Sequence, residues 1–556
     1  MSESQKHVLW IILAGALFYL PFLGGVHLFD WDEINFAEIS REMLILEDYL
    51  RVYVNFQPFW EKPPFFFWLQ ASAMHLLGVG EYAARLPNAI NGILTMVVIY
   101  LIGKRLYHPR FGLLWVAAWL GSVLPFLYAK SGIIDPWFNL FIFLGLYGFI
   151  LAFWKKDGFQ GITLTRSSWI YLILGGLAIG MGILTKGPVA FLIAALCIGV
   201  YWFMKRFRWY THPGHWLVFT LSAATIMLVW YGLETLKNGS WFIVEFNKYQ
   251  YRLFSTPDAG HKGFPGYHFA VLLVGVFPAS VFAVRSFFRL PLEDNHARQD
   301  FRLWMKILFW VVLILFTIVR SKIVHYSSMC YLPMTYLAAV VLNQLWERRI
   351  PWSRWLTIGL ISIGGLFVIA TIAVPWLGQH TDLLRPLFAA DPFALGNLEA
   401  DIHWTYWEAL VGIWLLAVIL SSLRAFHRED MRSGVSILFI GTAVFVMLTL
   451  IATIRNIEGY SQRAAIEFYE TRQGEDCYVQ PVGFKSYGHL FYTRKTRVSN
   501  PDSYDQEWLL SGPIDKTTYF ITKVGKEERF LSYPDIREIG RKNGFVFYQR
   551  EPASDR

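Results

Sequence analysis

From about residue 8 to residue 454 the chain alternates between long unbroken apolar runs and short polar connectors. Each run is long enough, as a helix, to cross a hydrocarbon core of about 30 Å. Read this way, the pattern predicts 13 spans, near 8–26, 88–103, 112–129, 137–154, 168–184, 188–204, 215–233, 268–284, 303–319, 327–345, 355–375, 405–423 and 435–454. A further apolar stretch, 65–78, is short and follows Pro63-Pro64. It is expected to lie at the interface as a juxtamembrane helix. Beyond residue 455 the long runs stop. Strand-like stretches such as Cys477–Gln480 and Thr518–Ile521 appear, with a helical pattern over 461–471. The expected fold class is therefore an all-α polytopic membrane protein of about 13 transmembrane helices, residues 1–455, carrying a small α/β domain at 456–556. The first run follows Lys6 and is trailed by no small-residue cleavage pattern, so it is expected to be a retained span.

Composition agrees with the pattern. Apolar residues make up 55% of the 556 positions and charged residues 16%, with a mean hydropathy of +0.38. The net charge of +9 would suggest nucleic acid in a soluble chain, but here the basic residues cluster in short connectors and topology explains them. One set of connectors and their edges, including Lys104-Arg105, Lys155-Lys156, Lys205-Arg206 and Arg348-Arg349, carries 20 basic residues against about 13 in the opposite set. By the positive-inside rule the richer set is cytoplasmic. That choice puts the N-terminus inside and the C-terminal domain outside, in the periplasm of a bacterial inner membrane. Cys197, Cys330 and Cys477 show no metal or redox spacing and are expected to be packing residues.

The outer connectors hold all the residues that suggest chemistry. The first begins Asp30-Trp31-Asp32-Glu33 and continues with Phe36, Ile39 and Met43 at helical spacing. An amphipathic interfacial helix is expected there, with two carboxylates in its first turn, where the helix dipole favours them. Trp60-Glu61-Lys62-Pro63-Pro64 sets a charged turn at the membrane surface. Lys62 is either a snorkelling anchor or a ligand for an anionic headgroup. Asp135, in Gly132-Ile133-Ile134-Asp135-Pro136, lies between two apolar runs. It is either a helix cap or a functional carboxylate. Lys186-Gly187-Pro188, Arg252, and Arg320-Ser321-Lys322 complete a collection of cations on the face where topology disfavours them. A phosphate pocket of Lys62, Lys186, Arg252, Arg320 and Lys322 beside Asp32, Glu33 and Asp135 accounts for that departure.

Together, Asp32-Glu33, Phe36-Ala37-Glu38-Ile39, Glu61-Lys62-Pro63-Pro64 and Ala84-Arg85-Leu86-Pro87 resemble the GT-C class of membrane glycosyltransferases. Within it the chain most resembles the bacterial aminoarabinose transferases of lipid A and, more distantly, the protein O-mannosyltransferases. The resemblance covers about residues 28–335, with Asp135, Lys186-Gly187 and Ser321-Lys322 in the expected order.

The resemblance implies an enzyme whose donor is a sugar on a polyprenyl phosphate and whose acceptor is an envelope glycolipid, a polysaccharide or a protein. Attack at the anomeric carbon inverts it, and the carrier phosphate leaves against the cations. Asp32 or Asp135, with Glu33 beside them, orients the acceptor or takes its proton. Relatives use the Glu of Glu-Lys-Pro and a histidine before an arginine to hold a metal. Glu61 matches the first, but Glu245-Phe246-Asn247 stands where the histidine is expected. His261 and His268 follow in the same connector and suit zinc. The competing functional class is a lipid or solute transporter, which calls for charges at the midplane and repeated halves; no internal repeat is present.

Overall fold

In the computed structural model, residues 2–207, 212–255, 263–291, 293 and 295–552 are described. Among them, eight helices are long and apolar enough to cross a membrane. The pair Tyr267–Gly275 and Ala279–Ser286, bent by 119° at a break that holds Pro278, brings the number to nine when it is counted as one span. The expected count of 13 is therefore not met by helices of spanning length. The four remaining runs are shorter helical pieces: Glu3–Tyr19, Val189–Met204, the broken pair Pro109–Leu120 and Val123–Tyr128, and Tyr331–Trp346 entered through a tight 3-10 turn at Val324–Cys330. Apolar length alone does not reveal these breaks. Gly121-Ser122 and the proline at 125 split one run, while Ser327-Ser328 loosens the start of another. Cys197 and Cys330 are buried among these helices as packing residues, and Cys477 is half-buried in the tail.

The tail closes over one end of the bundle. Its sheet has four strands in the order Tyr478–Pro481, Thr518–Lys523, Phe545–Arg550 and Arg537–Lys542. The first pair is parallel and the other two are antiparallel. The strand and helix signals read at 477–480, 518–521 and 461–471 are found as Tyr478–Pro481, Thr518–Lys523 and Arg463–Glu470.

The helix Asp32–Leu46 departs from the amphipathic expectation, for every residue from Glu33 to Met43 is buried. Phe36, Ile39 and Met43 pack on Phe66 and Phe67 of the helix Phe65–Leu77. The opposite side, Ile34 and Ala37, packs with Tyr469, Phe491 and Phe547 of the tail. Burial of a large apolar side chain contributes about 1.5–3 kcal/mol, so this shared core joins tail and bundle firmly. Two of the charged residues on the same helix pair with one another in the core. Arg41 makes a double hydrogen bond to Glu38 at 2.7 Å and also donates to the Lys495 carbonyl of the tail.

Candidate functional site

A cavity of about 970 Å³ opens where the bundle connectors meet the tail. Its size suits a bound small molecule or headgroup. Three chain segments bring carboxylates and imidazole together in it. Asp32 starts the buried helix, Asp135 starts the helix Asp135–Lys156, and His325 lies in the 3-10 turn. His325 Nε2 stands 3.6 Å from Asp32 Oδ2 and 4.0 Å from Asp135 Oδ2. Neither aspartate caps its helix through a side-chain hydrogen bond, so the helix-cap readings of these residues give way to this cluster.

Asp135 is buried and its Oδ1 accepts from Lys186 Nζ at 2.6 Å. Lys186 is the last residue of the helix Ser168–Lys186 and lies 5.2 Å from the Tyr326 ring centroid. The turn after it needs glycine. Gly187 has φ +107°, and a Cβ there would come within 2.6 Å of the Phe246 ring. Burial pushes the His325 imidazole below its ordinary value. Asp135 and Asp32 pull the other way, and Lys186 and Lys62 add to the effect of burial.

A second group lies around Tyr249 in the same cavity. Lys62 Nζ donates to Tyr249 Oη at 3.2 Å, and both Lys62 and Arg252 face its ring, at 4.9 and 5.2 Å from the centroid. Lys62, Lys186 and Arg252 thus share one cavity with Asp32 and Asp135, across segments more than 200 residues apart in sequence. His325 and Tyr249 went unassigned in the sequence because each is a single residue in an unremarkable connector or helix. The loop Arg320–Tyr326 pointed toward the former only as a place.

Other expected site residues are placed differently. Glu33 reaches the cavity wall but is fully committed to structure. Its carboxylate pairs with Arg85 at 2.8 and 3.1 Å and accepts the backbone N–H of Gly132 and Phe29. Burial alone would raise this carboxyl, but Arg85 and the two N–H donors hold it below the ordinary range. Arg85 in turn donates to the carbonyls of Leu23, Val26 and His27. Glu33 is therefore held as a lock between connectors, with both carboxylate oxygens hydrogen-bonded. Lys322 does not reach the cavity either. Its Nζ donates to the carbonyls of Phe316, Thr317 and Val319, satisfying the open end of the helix His296–Ile318. Arg320 is exposed and does not line the cavity.

Two members of the expected metal set are described. Glu61 lines the cavity. His268 is buried with Nδ1 3.1 Å from Ser327 Oγ, and His261 lies outside the described residues. Among the described residues no group of three His, Cys, Asp or Glu side chains is placed to share a metal.

Comparison with known proteins agrees with the geometry. Residues 61–231 match the family described as dolichyl-phosphate-mannose-protein mannosyltransferase. The undecaprenyl phosphate-alpha-4-amino-4-deoxy-L-arabinose arabinosyl transferase of Pseudomonas aeruginosa is 27% identical over 546 residues, 94% of each chain. Its counterpart in Erwinia tasmaniensis is 26% identical over 99% of this chain and 100% of its own. The fold matches the crystal structures of ArnT from Cupriavidus metallidurans. The apo form gives a TM-score of 0.75 at 18% identity, covering 99% of this chain and 98% of that one. The form bound to undecaprenyl phosphate gives 0.73, covering 98% of each. By fold over its length the chain is a polytopic membrane protein built like ArnT, and by sequence over most of its length it is similar to the aminoarabinose transferases.

Proposed function

We propose that this enzyme transfers 4-amino-4-deoxy-arabinose from undecaprenyl phosphate to lipid A, at the periplasmic face of the inner membrane. The observation that carries this reading is the one cavity, where the bundle connectors meet the tail, that brings Asp32, Asp135, His325, Lys62, Lys186 and Arg252 together. Sequence similarity to transferases named for this donor supports the sugar and the carrier. The excess of basic residues in the opposite connectors supports the orientation.

The reaction forms a bond between an acceptor oxygen and the anomeric carbon, and breaks the bond from that carbon to the carrier phosphate oxygen. Lys62 and Arg252, held at Tyr249, bind the carrier phosphate and stabilise the charge that it gains as it leaves. Lys186 fixes the carboxylate of Asp135, which faces positive charge developing on the sugar ring. Asp32 is the more accessible of the two, its side chain 43% exposed against 4% for Asp135. It orients the acceptor and takes its proton when the acceptor is a hydroxyl. A phosphate acceptor is already ionised and needs only to be placed. His325 Nε2 faces both carboxylates, at 3.6 and 4.0 Å.

The transporter reading draws no support from this arrangement, since the charges gather at helix ends on one side. The test is mass spectrometry of lipid A from a strain lacking the gene and from the complemented strain. The proposal expects aminoarabinose-bearing lipid A only on complementation. Unchanged lipid A, with a shift in another envelope glycan, would replace this acceptor.

A further inference from the structure

The cavity has a second cationic end that a polyprenyl-phosphate donor does not use. It is built by the tail. Lys485 and Lys523 both line the cavity, and both act electrostatically on the carboxylate of Asp30. Lys485 Nζ lies 5.0 Å from the Trp31 ring centroid and 5.3 Å from that of Tyr487. Lys523 Nζ lies 4.1 Å from the Phe393 ring centroid and 5.2 Å from that of Phe484. Ring contacts position an ammonium without cancelling its charge.

This end is fastened to the reacting centre. Trp31 Nε1 donates to the Lys485 carbonyl at 2.9 Å, and the Asp30 N–H donates to Gln462 at 3.3 Å. Gln462 returns a bond to the Leu28 carbonyl at 2.6 Å, and Asp30 Oδ1 accepts the Tyr487 N–H at 3.3 Å. The next residue, Asp32, is the one that reaches His325. The tail lysines are therefore set beside the Asp32 edge of the centre by a chain of bonds through residues 28–31.

Lys62 and Arg252 already answer the one anionic group of the donor, its phosphodiester. The lysines of the tail belong to the sheet domain, so they are not helix-end anchors of the membrane spans. We propose that Lys485 and Lys523 form a second anion subsite, holding a phosphate of the acceptor other than the one that reacts, and so select acceptors carrying two anionic groups. Asp30, on whose carboxylate both lysines act, weakens the subsite enough for product to leave. This inference rests on the transferase reading above.

The test uses the full chain in proteoliposomes, with undecaprenyl-phosphate-linked aminoarabinose as donor and bisphosphoryl or monophosphoryl lipid A as acceptor. The double variant Lys485→Gln/Lys523→Gln is expected to raise the acceptor KM about 10- to 100-fold on the bisphosphoryl form, as expected for loss of charge-assisted bonds. Its kcat and donor KM should stay within about twofold. On the monophosphoryl form the penalty should largely vanish. Lys485→Arg/Lys523→Arg should keep the wild-type KM, and Asp30→Asn should lower it. An unchanged acceptor KM, an equal penalty on both acceptors, or a loss carried by kcat would overturn the subsite. If wild-type protein transfers nothing from this donor, the transferase reading fails first. The subsite is then read alone, by binding of bisphosphoryl against dephosphorylated lipid A to detergent-solubilised wild-type and double-variant protein. Equal binding by the two proteins would still overturn it.

Discussion

His325 Nε2 stands 3.6 Å from the carboxylate of Asp32 although the two residues come from opposite ends of the bundle sequence. The same nitrogen is 4.0 Å from Asp135. One imidazole thus ties two acidic residues into one centre. Asp32→Asn removes a half-exposed carboxylate that caps nothing. It should leave thermal melting close to wild type and lower transfer by about a hundredfold or more. Asp135→Asn should lower transfer similarly but also lower the melting temperature, because Lys186 loses its partner in a mostly buried site. Normal activity in a well-folded Asp32→Asn protein would remove Asp32 from the mechanism.

The pH dependence follows from the position of His325. Burial holds its folded value below the ordinary imidazole range of about 6.5. Above that range it is neutral in both folded and unfolded chains. As pH falls through about 6.5 the unfolded chain takes the proton first, so the stability contributed by this group is present above that pH and is lost on acidification. Once protonated in the folded protein, His325 would pair with Asp32 and Asp135 and withdraw them from substrate. The acid limb of kcat/KM should therefore lie below pH 6.5 and change shape in His325→Gln. Half-loss of activity above pH 7 would contradict this assignment.

Glu33→Gln should behave as a folding variant. It unpairs a buried arginine that also holds three carbonyls. Removing one partner of a buried pair costs about 3–5 kcal/mol. Yield and melting temperature should drop, with near-normal specific activity in whatever protein folds. Full stability with lost turnover would restore Glu33 to the chemistry.

The cations divide in the same way. Lys62→Ala should raise the donor KM about 10- to 100-fold, and Tyr249→Phe should give a smaller change, since it removes only one hydrogen bond to Lys62. Lys322→Ala should instead destabilise the protein, by exposing three helix-end carbonyls that its ammonium now satisfies. Arg320→Ala should change neither quantity. A donor-specific defect in Lys322→Ala or Arg320→Ala would place that residue back in the phosphate site.

These divisions show what the sequence could and could not carry. Apolar length located the long helical segments of the bundle, but not the helix Trp241–Ser255, nor where Gly121-Ser122 and Pro278 break the runs. The acidic and basic residues of the connectors were legible as a set because they gather in one set of connectors between the apolar runs. Their separate duties were not legible. Glu33 and Asp32 are neighbours in sequence, yet successive residues on a helix point about 100° apart, so one meets Arg85 and the other meets His325. Lys62 and Lys322 look alike as connector lysines, and only packing shows that one faces a cavity and the other a helix end. His325 gave no signal of its own, because its partners lie more than 180 residues away.

The most direct measurement is transfer by purified protein in proteoliposomes supplied with undecaprenyl-phosphate-linked aminoarabinose and lipid A, read by mass spectrometry. The account predicts aminoarabinose on lipid A and one undecaprenyl phosphate released per transfer with wild-type protein, and a loss of about a hundredfold or more with folded Asp32→Asn. Absence of transfer by folded wild-type protein, or equal transfer by Asp32→Asn, would contradict it.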